Sequence, residues 1–296
     1  MPVIATEALT KRYPRVTALD QLSVEIGDGI TGLVGANGAG KSTFLRILLG
    51  LVKPTSGQAM VLGHDVTGDG DAVRSLVGYM PEHDCLPPDV TASELVVHLA
   101  QMSGLPPNAA RERTADILRH VGLDEERYRP IGGYSTGMRQ RVKLAQAIAH
   151  DPNLVLLDEP TNGLDPAGRD EMLALVRRIG TEFGIAVLIT SHLLGELEHV
   201  CDHVVVLDAG RLLRSESTAA LTAETGVLAV EVRDGTDRLH KALQDAGLRV
   251  HLDEPLLLVE LDTDTTYDAV RDAAADLELG LVRMQPHRHR LAEVFR

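Results

Sequence analysis

The 296-residue sequence has no tryptophan, and aromatic residues make up only 3% of it. Any core must therefore be built mainly from Leu, Val, Ile and Ala, and at 44% hydrophobic content these suffice. Long apolar runs are missing too. Leu154–Leu157 and Leu256–Val259 are far shorter than the ~20 apolar residues that span a bilayer. Met1–Thr10 shows no basic start followed by an apolar stretch, so no signal peptide is expected and the chain is expected in the cytosol. There are two cysteines, Cys85 and Cys201, far apart and in no CxxC pair. They predict reduced thiols without a disulfide or metal, with Cys201 a small buried apolar residue. Clustered basic residues are absent and the net charge is −14, which disfavours a nucleic-acid partner. The acidity is uneven: residues 215–296 hold 16 acidic and nine basic residues, the mark of a separate acidic unit. No internal repeat or low-complexity stretch is visible.

What is present alternates. Val3–Leu9, Leu22–Ile26 and Thr31–Val34 read as strands, and a helix is expected over Ser42–Leu49. Pro54, Ser56 and Gly57 mark a turn, followed by strands at Gln58–Leu62 and Val77–Met80. From Pro81 the spacing turns helical, over Ala92–Met102 and Asn108–His120, and Glu82–Tyr134 reads as a helical insertion. A third helix is expected at Met138–Ala149. Strand and helix then alternate again: Leu154–Leu157, Pro166–Gly180, Ile185–Thr190, Leu193–Cys201 and Val204–Asp208. This order predicts a parallel sheet covered on both faces. After Thr218 a βαββαβ order follows, with strands at Val227–Arg233, Leu248–Leu252, Leu256–Leu261 and Gly280–Gln285 and helices at Asp237–Ala246 and Thr265–Leu277. It suggests a small split βαβ sandwich, closed by a short helix at Leu291–Phe295. The preceding run His287-Arg288-His289-Arg290 reads as a solvated turn.

Gly35-Ala-Asn37-Gly38-Ala-Gly40-Lys41-Ser42 fits GxxxxGK[ST] at every fixed position. An apolar strand precedes it and a helix follows. Glycines let backbone N–H groups approach phosphate oxygens without a Cβ clash, and the helix start offers further N–H groups and the positive end of its dipole. Lys41 is expected to reach the β- and γ-phosphates, Ser42 to ligate Mg²⁺ and Thr43 to bond an α-phosphate oxygen. Leu154-Val-Leu-Leu-Asp158-Glu159 is a buried strand ending in two carboxylates. Two charges at a buried strand end are costly; Mg²⁺ on Asp158 and an attacking water on Glu159 would account for both. No Asn-Lys-x-Asp run that would read guanine occurs.

With these two sites in hand, the sequence resembles the ATP-binding cassette family from about Val3 to Leu213. Tyr134-Ser135-Thr136-Gly137-Met138 is similar to the family's signature motif, Gly163-Leu164-Asp165 to its D-loop, and Thr190-Ser191-His192 to its switch histidine. Gly78-Tyr-Met-Pro-Glu82 stands where the family has its Q-loop, and Tyr13 where an aromatic stacks on adenine. Thr136, Met138 and Glu82 depart from the family's usual glycine, glutamine and glutamine. The resemblance implies a P-loop NTPase cassette over residues 1–218: a RecA-like parallel core with an antiparallel β subdomain and a helical subdomain at about 82–140. A small C-terminal α+β domain at 219–296 would complete the chain.

The implied activity is ATP hydrolysis, with Glu159 and His192 as the catalytic pair. ATP would be bound by Tyr13, Gly35, Asn37, Gly38, Gly40, Lys41, Ser42, Thr43, Glu82, Ser135, Gly137 and Asp165, and Mg²⁺ by Ser42, Asp158 and Glu82. Ser135 and Gly137 open a helix and so make a second anion site, most simply used on the ATP of a second copy. Asp165 has a plain alternative as the N-cap of the helix at Pro166. A homodimer and a separate integral membrane subunit are the implied partners, with the chain peripheral on the inner face of the cell membrane. The tail is similar to the accessory domain of bacterial drug- and antibiotic-exporter ATPases. The competing readings are a soluble ATPase of this type acting on nucleic acid or ribosomes, which the charge disfavours, and an ATP sensor or assembly protein.

Overall fold

The computed structural model describes residues 2–192, 194–197, 199–221, 224–253, 256–261 and 265–288. The chain divides into two compact units, residues 1–218 and 219–296.

In the first unit, β1 (Ile4–Tyr13) and β2 (Val16–Ile26) pair antiparallel and lead to β3 (Ile30–Val34) and α1 (Lys41–Leu48). Then come β4 (Ser56–Val61), β5 (His64–Asp65), α2 (Gly70–Leu76) and β6 (Val77–Met80). The helices α3 (Ala92–Met102), α4 (Pro107–His120) and α5 (Thr136–Ile148) precede β7 (Leu154–Asp158), α6 (Pro166–Glu182) and β8 (Ala186–Ser191). The short α7 (Leu194–Leu197), β9 (His203–Asp208) and β10 (Arg211–Ser217) follow, and α8 (Thr218–Leu221) runs across the boundary.

Two sheets result. One has the order β2-β1-β4-β5 and is antiparallel; the other has the order β10-β9-β3-β8-β7-β6. In the second sheet β3, β6, β7, β8 and β9 run parallel, and only β10 is antiparallel. Every residue of β3, β7 and β8 is buried, as expected of parallel strands covered on both faces. One core joins the two sheets through Leu9, Leu19, Leu33, Phe44, Leu156 and Leu207. The functional loops all leave the C-terminal ends of parallel strands: residues 35–40 after β3, 159–165 after β7 and His192 after β8. That is where ligands bind in open α/β sheets.

The structure differs from the sequence expectation at several elements. β10 is an additional strand. Arg211, Arg214 and Glu216 break its apolar pattern, which an edge strand paired only with β9 tolerates. α2 is also additional: it is seven residues long, starts at Gly70 and buries only Val73. β1 extends four residues past Leu9 and ends at Tyr13, which pairs with Val16. The helix expected over Leu193–Cys201 contains α7, while residues 193 and 198 lie outside the described residues.

In the second unit, β11 (Glu224–Val232), α9 (Thr236–Asp245), β12 (Val250–Asp253), β13 (Leu256–Glu260), α10 (Thr265–Asp276) and β14 (Leu281–Arg288) form a sheet of order β12-β13-β11-β14. All its pairings are antiparallel. Leu228, Val230, Leu257 and Val259 pack with Leu239 and Leu243 of α9 and Val270 of α10 into a core of its own. The turn expected at His287–Arg290 is corrected in part: residues 287 and 288 continue β14, and Arg288 pairs with Glu224. Residues 289–290 and the expected helix Leu291–Phe295 lie outside the described residues. Among the described residues, no helix is long and apolar enough to cross a membrane.

Candidate nucleotide site

The loop 35–40 is shaped by its glycines. A Cβ at Gly35 would stand 2.4 Å from the Leu207 carbonyl oxygen, and one at Gly40 would stand 2.4 Å from that of Ala18. Gly40 also sits at φ 103°, the left-handed region. It is the N-cap of α1, and among the described residues no side chain caps this helix and no acidic residue occupies its first turn. The first-turn N–H groups are therefore left for a ligand, with the positive end of the helix dipole behind them. Lys41 is 7% exposed. Its ammonium donates to the Gly35 oxygen at 2.6 Å and the Ala36 oxygen at 3.5 Å, and lies 3.5 Å from Glu159 Oε1.

Across the sheet, β7 delivers two carboxylates in different directions. The Thr190 hydroxyl, from β8, donates to Asp158 Oδ1 at 2.8 Å and accepts the Glu159 N–H at 2.9 Å. Glu159 leaves the strand with φ 50°, a left-handed conformation that costs a non-glycine residue on the order of 1 kcal/mol or more. Its side chain faces the phosphate loop: Oε2 lies 2.8 Å from His192 Nδ1, and Oε1 beside Lys41. Asp158 and Glu159 are only 3% and 6% exposed, so these charges demand partners. Burial, reinforced by the Asp158 carboxylate, pushes the nearby Tyr79 phenol up to about 12, so it stays neutral.

A cavity of about 640 Å³ is lined by Tyr13, Val16, Ala18, residues 36–43, Glu82, Glu159, Asn162 and His192. Of the residues expected on this side, Gly35, an expected ATP ligand, and Asp158, an expected Mg²⁺ ligand, are not in the lining, and Asp158 is bonded to Thr190. Ser135, Gly137 and Asp165 are elsewhere. They line a second cavity of about 530 Å³ together with Thr136, Met138, Gly163, Leu164, Arg141 and Glu171. Ser135 Oγ accepts the Met138 N–H at 3.2 Å and caps α5, and Asp165 Oδ1 accepts the Gly168 N–H at 3.0 Å and caps α6. The plain N-cap alternative for Asp165 is thus realised in the structure.

Other residues at the site are brought there by the fold and are not singled out by the sequence. Thr190, quoted in the sequence only as a neighbour of His192, turns out to hold the Asp158 carboxylate and the Glu159 backbone N–H. Asn162 Nδ2 lies 3.4 Å from Glu82 Oε1, and its carbonyl accepts from Gln140 at 3.0 Å. Lys143 donates to the Glu82 carbonyl at 2.9 Å. For Gln140 and Lys143 the available signal is their spacing, three apart on a buried helix face. Cys201 is buried, as expected, and burial pushes its thiol up to about 12.

A parallel sheet with a phosphate loop after β3 and paired carboxylates after β7 defines a phosphate-loop nucleotide hydrolase. Comparison with known proteins narrows the class. Residues 19–162 match the family model described as ABC transporter. The chain is 35% identical over 256 residues to the daunorubicin/doxorubicin resistance ATP-binding protein DrrA of Streptomyces peucetius, covering 84% of this chain and 77% of that protein. It is 39% identical over 212 residues to the bacitracin transport ATP-binding protein BcrA of Bacillus licheniformis, covering 71% and 68%. Among solved structures, the ATP-binding cassette MJ0796, captured as a dimer in a post-hydrolysis state bound to ADP and Pi, superposes with a TM-score of 0.66 at 25% identity over 73% of this chain and 98% of that one. The chain belongs to the ATP-binding subunits of ABC transporters. It is an ATP hydrolase, the nucleotide-binding ATPase subunit of a transporter.

Proposed function

We propose that this ATPase works as a homodimer holding two ATP molecules, each between the Lys41 cavity of one copy and the Ser135 cavity of the other. The observation that carries this reading is that the two glycine-lined anion sites occupy separate cavities on the same chain. Two copies placed head to tail would bring one cavity of each kind to each nucleotide. The similar cassette MJ0796, a dimer bound to ADP and Pi, supports pairing of two copies.

Within each composite site, Tyr13 stacks on adenine, and the amides of residues 37–43 receive the phosphates. Lys41 binds the β- and γ-phosphates, exchanging Glu159 for them. Thr43 bonds an α-phosphate oxygen. Glu159 positions and deprotonates the attacking water, while His192 holds Glu159 and touches the γ-phosphate. Ser135 and Gly137 of the other copy close over the γ-phosphate, and Asp165 stands at the interface. The donors at Ser42, Asp158 and Glu82 are hard oxygens, which suit Mg²⁺. Among the described residues no group of three or more His, Cys, Asp or Glu could hold a metal unaided, so the phosphates would complete such a shell. Bound there, Mg²⁺ would neutralise charge developing on the phosphates; the chain's own part is to orient the water and exclude solvent.

ATP-driven closure would be transmitted to an integral membrane subunit and drive export, with this chain peripheral on the inner membrane face. The names of the drug-resistance and bacitracin-transport relatives support a small-molecule antibiotic cargo.

Glu159→Gln tests the chemistry and the pairing together. A general base contributes about 10²–10⁴-fold, roughly 3–5 kcal/mol of barrier. The variant is expected to lose turnover by that factor, keep ATP binding, and shift from monomer to dimer with MgATP in light scattering. Wild-type turnover, or a monomer at saturating ATP, would overturn the reading.

A further inference from the structure

The helix α5 has its N-terminus in one cavity and its flank against the wall of the other. Ser135 caps it, and residues 135–138 line the second cavity. Lys143, eight residues on and so about 12 Å along the axis, donates to the carbonyl of Glu82, which lines the first cavity. Two neighbours on the helix make parallel ties. Gln140 donates to the Asn162 carbonyl at 3.0 Å, and the Asn162 amide reaches Glu82 Oε1 at 3.4 Å. The Arg139 guanidinium bonds the Tyr134 carbonyl at 2.6 Å, the Thr136 hydroxyl at 3.2 Å and the Asp84 carboxylate at 3.2 Å. Loop 82–84, Asn162 and the signature residues are therefore strung on one rigid element.

Lys143 is an expensive way to hold a helix. It is 2% exposed, and taking an ammonium out of water is costly even with the Glu82, Asp84 and Asp158 carboxylates nearby. The group its ammonium donates to is a neutral carbonyl. A methionine of similar length would fill the same space without the desolvation cost, so packing alone does not account for the ammonium.

We propose that Lys143, aided by Arg139 and Gln140, is a positioning residue that couples the two half-sites of one chain. A nucleotide contacting Glu82 and Asn162 in the first cavity sets, through α5, the placement of Ser135 and Gly137 offered to the partner's nucleotide. The inference rests on the paired-site reading above. It adds that the rigid link between the half-sites is polar and removable without unfolding the chain.

The test compares Lys143→Met, Lys143→Arg and Asp84→Asn in the full chain, each alone and in the Glu159→Gln background. Lys143→Met is expected to leave ATP binding to the monomer unchanged and the melting temperature equal or higher. ATP-driven dimerisation and turnover should each weaken about tenfold or more, the scale of loss that sub-ångström to ångström misplacement of catalytic groups produces. Lys143→Arg, which keeps a charged donor, restores most of the loss. Asp84→Asn, at the surface, gives a smaller loss in the same two measurements. Unchanged dimerisation and turnover in Lys143→Met overturn the proposal. So does a joint fall of ATP binding and melting temperature, which would make Lys143 merely structural. If Glu159→Gln alone stays monomeric with saturating ATP, the paired-site reading itself fails; if it dimerises and Lys143→Met changes nothing, only the coupling role fails.

Discussion

Gly38 and Gly40 stand two residues apart in the phosphate loop, both with positive φ, yet they are constrained differently. Gly38 lies at φ 87° with open space where a Cβ would go, whereas at Gly40 the Cβ would meet Ala18 O at 2.4 Å and Leu19 Cδ2 at 2.8 Å. Gly38→Ala should therefore cost only the left-handed strain, about 1–2 kcal/mol, or about 2–8 °C of melting temperature for a unit of this size. Gly40→Ala adds a backbone clash at the start of α1, and it should lose more stability and abolish ATP binding. Differential scanning fluorimetry with fluorescent-nucleotide titration separates the two, and equal effects would show that space is not what matters at position 40. The loop itself was legible because backbone geometry dictates residue type at fixed spacing. The role of Thr190 was not, since its double hydrogen bond to Asp158 and Glu159 exists only once β7 and β8 align. The left-handed turn of Glu159 left no compositional trace either.

Among the helices, three N-caps allow stability to be separated from function. Thr91 forms a capping box with Glu94 at α3, with hydrogen bonds of 3.1 and 2.9 Å. Ser135 caps α5 and Asp165 caps α6. Loss of such a cap costs about 1 kcal/mol, within a range of about 0.5–2. Thr91→Ala and Ser135→Ala should thus lower the urea midpoint similarly. Only Ser135→Ala should also weaken ATP-driven association, because Ser135 lines the second cavity and Thr91 does not. If Thr91→Ala weakens association as much, the effect belongs to global stability. At this scale α3 was readable from apolar spacing alone, and its Thr91 cap emerged only in the structure. α2 and β10 were not: one buries a single valine, and the other is a charged edge strand defined by β9 beside it.

Across the whole molecule, each unit has its own hydrophobic core, and every residue lining the Lys41 and Ser135 cavities falls within residues 1–218. Separate cores predict separate unfolding transitions in calorimetry. A ligand that binds only the folded first unit stabilises that unit by RT ln(1 + [L]/Kd), about 2.7 kcal/mol at a hundredfold excess over Kd. With 2–4 °C per kcal/mol for a unit of about this size, saturating MgATP should move one transition up by roughly 5–11 °C and leave the other in place. A chain ending at Thr218 identifies which is which: it should keep only the transition that moves, together with full ATP affinity. The acidic second unit, whose βαββαβ order could be read from strand and helix alternation alone, would then be an attachment that the nucleotide does not directly stabilise. A single transition displaced as a whole by MgATP would instead mean that the two cores melt as one cooperative body, and that nucleotide binding at Lys41 is felt throughout the chain.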